Sequence, residues 1–344
     1  MKKRVFYLDF IRALSVVFII IFHFNCSIGS HGIYNNVSSA PIIFYEYKNG
    51  NLGQIGVSLF FIISGAGLMI SNYQNINMKE YIKKRIFAIF PMFYFAYFCV
   101  TCYYFVRYAS LNPFGVGRSN ASFLLTILGM DGYLSPVIPN FYFIGEWFLG
   151  AIILFYFLFP ILRKLLLKVP HITVVCVLIL YIITTTFYSF ESFPIEYFIG
   201  ARICEFFFGM YSVVYFPEMR RWQLCIAGMI AAIWFVWYIP LAQIHKTVVM
   251  GIALYVIFAY IGQHISGSFR QPFYSISKYS YQVYLLHHVI IEQICTRFDN
   301  MPISLFEIYF LLLTCFIFIV AIVVIFNILY SAVKKTICNY VYEK

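Results

Sequence analysis

The chain has 344 residues, of which 62% are hydrophobic and 11% charged, whereas a soluble domain carries about 25% charged residues. This excludes an ordinary soluble enzyme and predicts an all-α polytopic membrane protein, a single integral membrane domain over residues 1–344. The net charge of +11 would suit nucleic acid only if the basic residues were gathered into one patch.

They are not gathered. Ten apolar stretches, at roughly 6–28, 53–72, 84–106, 142–162, 171–190, 197–216, 222–240, 246–265, 274–295 and 304–332, are each near the length a helix needs to cross a bilayer. Ten crossings return the chain to its starting side. That side then holds 17 Lys and Arg and the other side five, with Arg12 and Arg202 inside spans. The excess places both termini in the cytoplasm. The basic charge is therefore a topology signal, and no nucleic-acid partner is expected. The first span is expected to be retained, because no small-residue cleavage site follows it.

The first span contains Y-L-D-F-I-R-A-L-S-V-V-F-I-I-I-F-H-F-N, with Asp9, Arg12 and His23 in otherwise apolar sequence. Ionisable side chains at bilayer depth are costly and point to function. Arg12 and His23 are eleven residues apart, so they leave one helix face about 16 Å apart along the axis. Asp9 precedes Arg12 by three residues and can pair with it. A guanidinium near the membrane surface suits phosphate, and an imidazole deeper inside suits proton removal from a hydroxyl.

In the second span, Gly56, Ser64, Gly65 and Gly67 serve either close helix packing or a thin-walled tunnel for an extended ligand. The third opens with Lys83, Lys84 and Arg85, read as positive-inside anchoring or as a phosphate clamp shared with Arg12. Cys99 and Cys102 lie in an apolar helix without nearby His or carboxylate, so they read as packing residues, and no metal site is expected. The interruptions 29–52 and 107–141 are the longest polar loops, and Phe123–Met130 is too short to span. Arg202 and Glu205 in the sixth span sit three residues apart and are placed to pair, as a structural ion pair between helices would. In the ninth, Ser280, Tyr284 and His287 share a face, with His288 about 100° away.

Together these segments resemble the membrane-bound acyltransferase family 3, whose members O-acylate bacterial surface glycans. L-D-F-I-R-A-L-S-V-V-F-I-I-I-F-H is similar to the family's first span, and G-V-S-L-F-F-I-I-S-G to its second. W-F-L-G-A-I-I-L-F-Y-F-L-F-P, from Trp147 to Pro160, resembles the fourth, while R-I-C-E-F-F-F-G and S-Y-Q-V-Y-L-L-H resemble two later segments. Two positions depart from the family pattern. Ala88 stands where a second Arg is common, and Ile152 where many members have Glu. Glu205 or Glu146 is the expected substitute carboxylate. The length predicts a stand-alone form without a fused hydrolase-like domain.

The resemblance implies a cytoplasmic acyl-CoA donor, acetyl-CoA first among candidates, used as co-substrate with no bound cofactor. It implies a glycan hydroxyl as acceptor, lipid-linked or polymeric, in a bacterial cytoplasmic membrane. His23 and Arg12 are the expected catalytic pair. Arg12, Arg85, Lys84 and Lys83 are expected at the donor, and Arg202, Glu205, Ser280, Tyr284, His287, Trp147, Glu146 and Asp9 at the acceptor or in support. Direct transfer and a covalent relay both fit, as do a monomer and a homodimer. A glycan-precursor transporter or flippase and a polysaccharide polymerase are the competing readings. No half-to-half similarity supports a transporter.

Overall fold

The helix that carries Asp9, Arg12 and His23, α1 (Phe6–Ser30), lies inside a helical bundle and packs on three other long helices. A computed structural model describes residues 5–33, 45–111, 119–145 and 147–342. After α1 come α2 (Leu52–Asn72), α3 (Met78–Tyr108), the short α4 (Phe123–Ile127) and α5 (Asp131–Leu134), then α6 (Phe148–Lys168) and α7 (Pro170–Phe187). The chain continues through α8 (Ile199–Tyr215), α9 (Arg221–Val236), α10 (Gln243–His264), α11 (Gln271–Cys295) and α12 (Leu305–Tyr342). By length and composition, seven of these can cross a membrane: α1, α2, α3, α6, α7, α10 and α12. α8 and α9 have 17 and 16 residues and fall short in length. α11 is long enough, but Ser277, Ser280, Gln282, His287 and His288 make it too polar. These three coincide with the sixth, seventh and ninth expected spans.

Two features depart from the sequence reading. A small antiparallel hairpin, β1 (Glu46–Tyr47) with β2 (Gly50–Asn51), interrupts the all-α pattern and pairs Glu46 with Asn51. It leads directly into α2, where the Asn51 side chain accepts the Gln54 N–H at 2.9 Å and Gln54 Oε1 accepts the Asn51 N–H at 3.2 Å. This reciprocal cap fixes where α2 begins. The fourth span, expected from 142, becomes helical only at Phe148. Gly145 has φ +69°, a left-handed conformation that an ordinary helix cannot contain. Its N–H leaves the segment and donates to the Leu285 carbonyl at 3.2 Å, tying the approach to α6 onto α11.

The second-span glycines show why the bundle is tight. A Cβ on Gly65 would overlap the Phe206 carbonyl oxygen, and one on Gly209 the Ile62 carbonyl oxygen. α2 and α8 therefore meet backbone to backbone, as small residues permit in membranes. At Gly56 a Cβ would lie 3.1 Å from the Ser15 carbonyl oxygen of α1. Packing accounts for Gly56 and Gly65, whereas nothing lies within 4 Å of a Cβ built on Gly67. On the periphery, α3, α7 and α12 present Phe98, Phe187 and Phe306 outward, as lipid-facing helices do.

Candidate active site

The seam between α1 and α11 is held at three levels. At the first, Ser277 Oγ donates to Asp9 Oδ1 at 2.5 Å, and Arg12 Nη1 donates to Ser277 Oγ at 3.1 Å. Arg12 Nη1 also lies 3.4 Å from Asp9 Oδ1. Asp9 is buried, while the Arg12 side chain keeps 32% of its surface exposed. The charge is thus oriented by Asp9 and Ser277 and stays partly exposed. The Arg85 guanidinium stands 5.9 Å from the Tyr81 ring and 5.6 Å from the Tyr156 ring. Tyr156 interacts electrostatically with both Arg85 and Arg12. Lys83 and Lys84 are exposed on the same end of α3. Ala88 is exposed, and Ile152 is buried in apolar surroundings.

At the second level a cavity of about 280 Å³ opens, with His23, His287, Tyr284, Arg202 and Trp147 in its wall. The alternating helix directions bring it together. It takes the later half of α1 and α11 and the first turns of α2, α6, α8 and α10. The His23 ring lies 5.0 Å from that of His287 and 5.1 Å from that of His288. His287 is fully buried, and its Nδ1 lies 2.9 Å from the Val283 carbonyl and 3.0 Å from the Tyr284 carbonyl. Carbonyl oxygens only accept, so Nδ1 carries the proton and Nε2 presents a lone pair. That Nε2 has no hydrogen-bond partner.

Arg202 and Glu205 pair within α8, with Nε 3.2 Å from Oε2 and both side chains almost wholly buried. The contact is ionic, because its angle does not make a hydrogen bond, and Arg202 Nε and Nη1 lack hydrogen-bond partners. The guanidinium sits 5.2 Å from the Phe61 ring and 6.0 Å from Trp147. Trp147 stacks on Tyr197 at 4.4 Å and 10°. Glu196, beside Tyr197, also lines the cavity.

The expected ninth-span face is only partly assembled. Tyr284 lines the cavity, and its hydroxyl accepts the Leu149 N–H at 3.0 Å, capping the start of α6. The Ser280 hydroxyl donates to the Ser277 carbonyl of its own helix at 2.9 Å and lies outside the cavity wall. Glu146 lies outside the described residues. Sequence reasoning passed over Ser277 as a partner for Arg12, His288 as a neighbour of His23, and the Glu196–Tyr197 pair. A hydroxyl three residues before Ser280 was the available signal for Ser277. Among the described residues, no three His, Cys, Asp or Glu side chains are arranged to hold a metal ion.

The third level lies at the end of α1. His31 Nε2 is 2.8 Å from Glu292 Oε1, and its Nδ1 is 3.3 Å from Asp299 Oδ1. Ser27 Oγ donates to Glu292 Oε2 at 2.9 Å. Burial pulls the imidazole down, but the two carboxylate hydrogen bonds outweigh it, and His31 ends above its ordinary value.

No curated protein and no solved structure matches the chain. A family model does match, the acyltransferase domain of the acyltransferase 3 family, over residues 5–330. With that match covering nearly the whole length of the chain, and Arg12 and His23 on one membrane helix, the protein belongs to the acyltransferase 3 family and is an acyltransferase.

Proposed function

We propose that the protein is an O-acyltransferase that moves an acyl group, acetyl foremost, from acyl-CoA to a hydroxyl of a surface or exported glycan. The observation that carries this reading is α1 itself. It carries Arg12, which with Arg85 acts on Tyr156, at one end and brings His23 into a mainly apolar cavity set with a few polar side chains about 16 Å further on. A nucleotide phosphate held by Arg12, Arg85, Lys83 and Lys84 leaves the thin pantetheine arm to run along the α1–α11 seam toward the cavity. The acceptor oxygen attacks the thioester carbon, His23 takes the hydroxyl proton, and the C–S bond breaks to release CoA.

Charge developing on the thioester oxygen needs a fixed donor. Arg202 supports that role better than Tyr284 or Ser280, because it is a lining residue whose Nη1 has no hydrogen-bond partner. Trp147 stacked on Tyr197 offers an aromatic wall for the apolar face of a sugar ring. In this reading ten helices cross a bacterial cytoplasmic membrane, both termini are cytoplasmic, and the Arg12 end faces inward. The acceptor then enters from the outer side.

The test compares O-acetyl groups on the cell's surface polysaccharide for the intact protein and His23→Ala at matched membrane levels. Loss of acetyl with polymer length and export unchanged supports the reading. Persistent acetylation with less or shorter polymer overturns it in favour of a transporter or polymerase.

A further inference from the structure

We infer that His287 is a second proton acceptor in the reaction, working with His23 as a two-imidazole relay. The inference rests on the acyl-transfer reading above and on four observations. His287 is fully buried, lines the same cavity as His23, and has its ring 5.0 Å from that of His23. Its Nδ1–H is committed to the Val283 and Tyr284 carbonyls, while Nε2 has no partner. An imidazole kept only for packing has no need to leave a buried nitrogen unsatisfied, since a buried polar atom without a partner costs about 1–3 kcal/mol.

With Nδ1–H held by two carbonyl oxygens, Nε2 is the one nitrogen of His287 able to take up a proton. Around the pair stand His288, 5.1 Å from His23, and the Arg202–Glu205 ion pair across the cavity. The bookkeeping of the step closes without any outside acid or base. The acceptor oxygen uses an electron pair to form the new C–O bond, and the C–S bond breaks with its pair leaving on sulfur. The hydroxyl proton passes to His23, on to Nε2 of His287, and back through the pair to the sulfur.

The experiment uses the purified full-length protein in lipid nanodiscs with acetyl-CoA and de-O-acetylated polysaccharide from the same cells, reading free CoA and O-acetyl together. His287→Ala is expected to lower kcat about 100-fold or more, with the KM for acetyl-CoA changed less than about threefold. Added imidazole is expected to restore turnover. Pyrazole, which fills the same space but is far too weak a base, is not. His287→Gln, whose amide N–H can keep the carbonyl contacts but which has no basic nitrogen, is expected to stay slow. Rescue by both additives or by neither, or full activity in the Gln variant, overturns the relay. A wild-type protein that releases no CoA with any glycan fails the acyl-transfer reading instead.

Discussion

Ser277 of α11 holds Asp9 and Arg12 of α1 at once, donating to Asp9 Oδ1 at 2.5 Å and accepting from Arg12 Nη1 at 3.1 Å. One hydroxyl therefore aims the guanidinium from a helix 265 positions away. The sequence neighbour Asp9, at 3.4 Å, is the looser partner.

Ser277→Ala removes this brace and leaves a buried carboxylate with one contact fewer. A hydrogen bond to a charged group contributes about 1.5–3 kcal/mol. The KM for acetyl-CoA is accordingly expected to rise roughly tenfold or more, with kcat changed less than about threefold. Ser277→Thr keeps the hydroxyl and should stay near wild type. Initial rates of CoA release measure both. An unchanged KM in the Ala variant removes Arg12 from the donor site.

The contact between α2 and α8 makes a separate claim on stability. Gly209→Ala drives a methyl into the Ile62 carbonyl oxygen, an overlap that only a shift of whole helices can relieve. The expected cost is about 3 kcal/mol or more. Gly67→Ala, with nothing within 4 Å, should be neutral or stabilising by up to about 1 kcal/mol. Thermal unfolding of both variants in the same detergent checks the contrast. Equal melting temperatures would mean that the helices are less closely apposed than the geometry requires.

Much of this was legible in the sequence, and for identifiable reasons. The stripe from Arg12 to His23 follows from helical rise alone, so it needs no tertiary knowledge. Helix existence follows from apolar length, which is why the long helices lie where the hydrophobic runs do. What failed to show depends on partners distant in the chain. Ser277 can be matched to Arg12 only once α11 is known to run beside α1. The 100° offset of His288 counts against it only if the partner lies on a single line along α11. The His23 ring instead sits between residues 287 and 288 and meets both. Gly145 breaks the fourth span through a backbone conformation that hydrophobicity does not encode. The unsatisfied nitrogens of Arg202 and His287 emerge only when every neighbour is placed.

Asp131 supplies a pH test outside the long helices. Burial lifts its carboxyl to about 6 from 3.8, against a partial opposing pull from the Gly132 N–H. Oδ1 accepts that N–H at 3.2 Å, and the Thr126 hydroxyl adds a smaller opposing pull that does not offset the burial. An acid whose folded value is raised binds its proton more tightly when folded. Its contribution to stability therefore grows as pH falls from about 6 toward 3.8 and is lost above that window. Asp131→Asn should melt higher than wild type at pH 8 and show no advantage near pH 4. A variant less stable than wild type at pH 8 would show that the ionised carboxylate has a partner worth more than its burial cost.

His31 should behave in the same sense, but through its carboxylate partners and not through burial. Its imidazole, lifted by Glu292 and Asp299 despite burial, binds a proton more tightly in the folded state than in the unfolded chain. The stability this supplies is fully present below the ordinary histidine value of about 6.5 and is lost as pH rises through the folded value. His31→Ala removes the linkage, yet the corner keeps its backbone bonds, Asn300 N–H to the residue-31 carbonyl at 2.8 Å and Ile303 N–H to the Ile33 carbonyl at 3.2 Å. The gap in melting temperature between wild type and variant is expected to be wider at pH 6 than at pH 8.5. A gap independent of pH would mean that His31 joins α1 to α11 as a neutral hydrogen-bonding ring. Closure of the α1–α11 seam at this end would then owe nothing to charge.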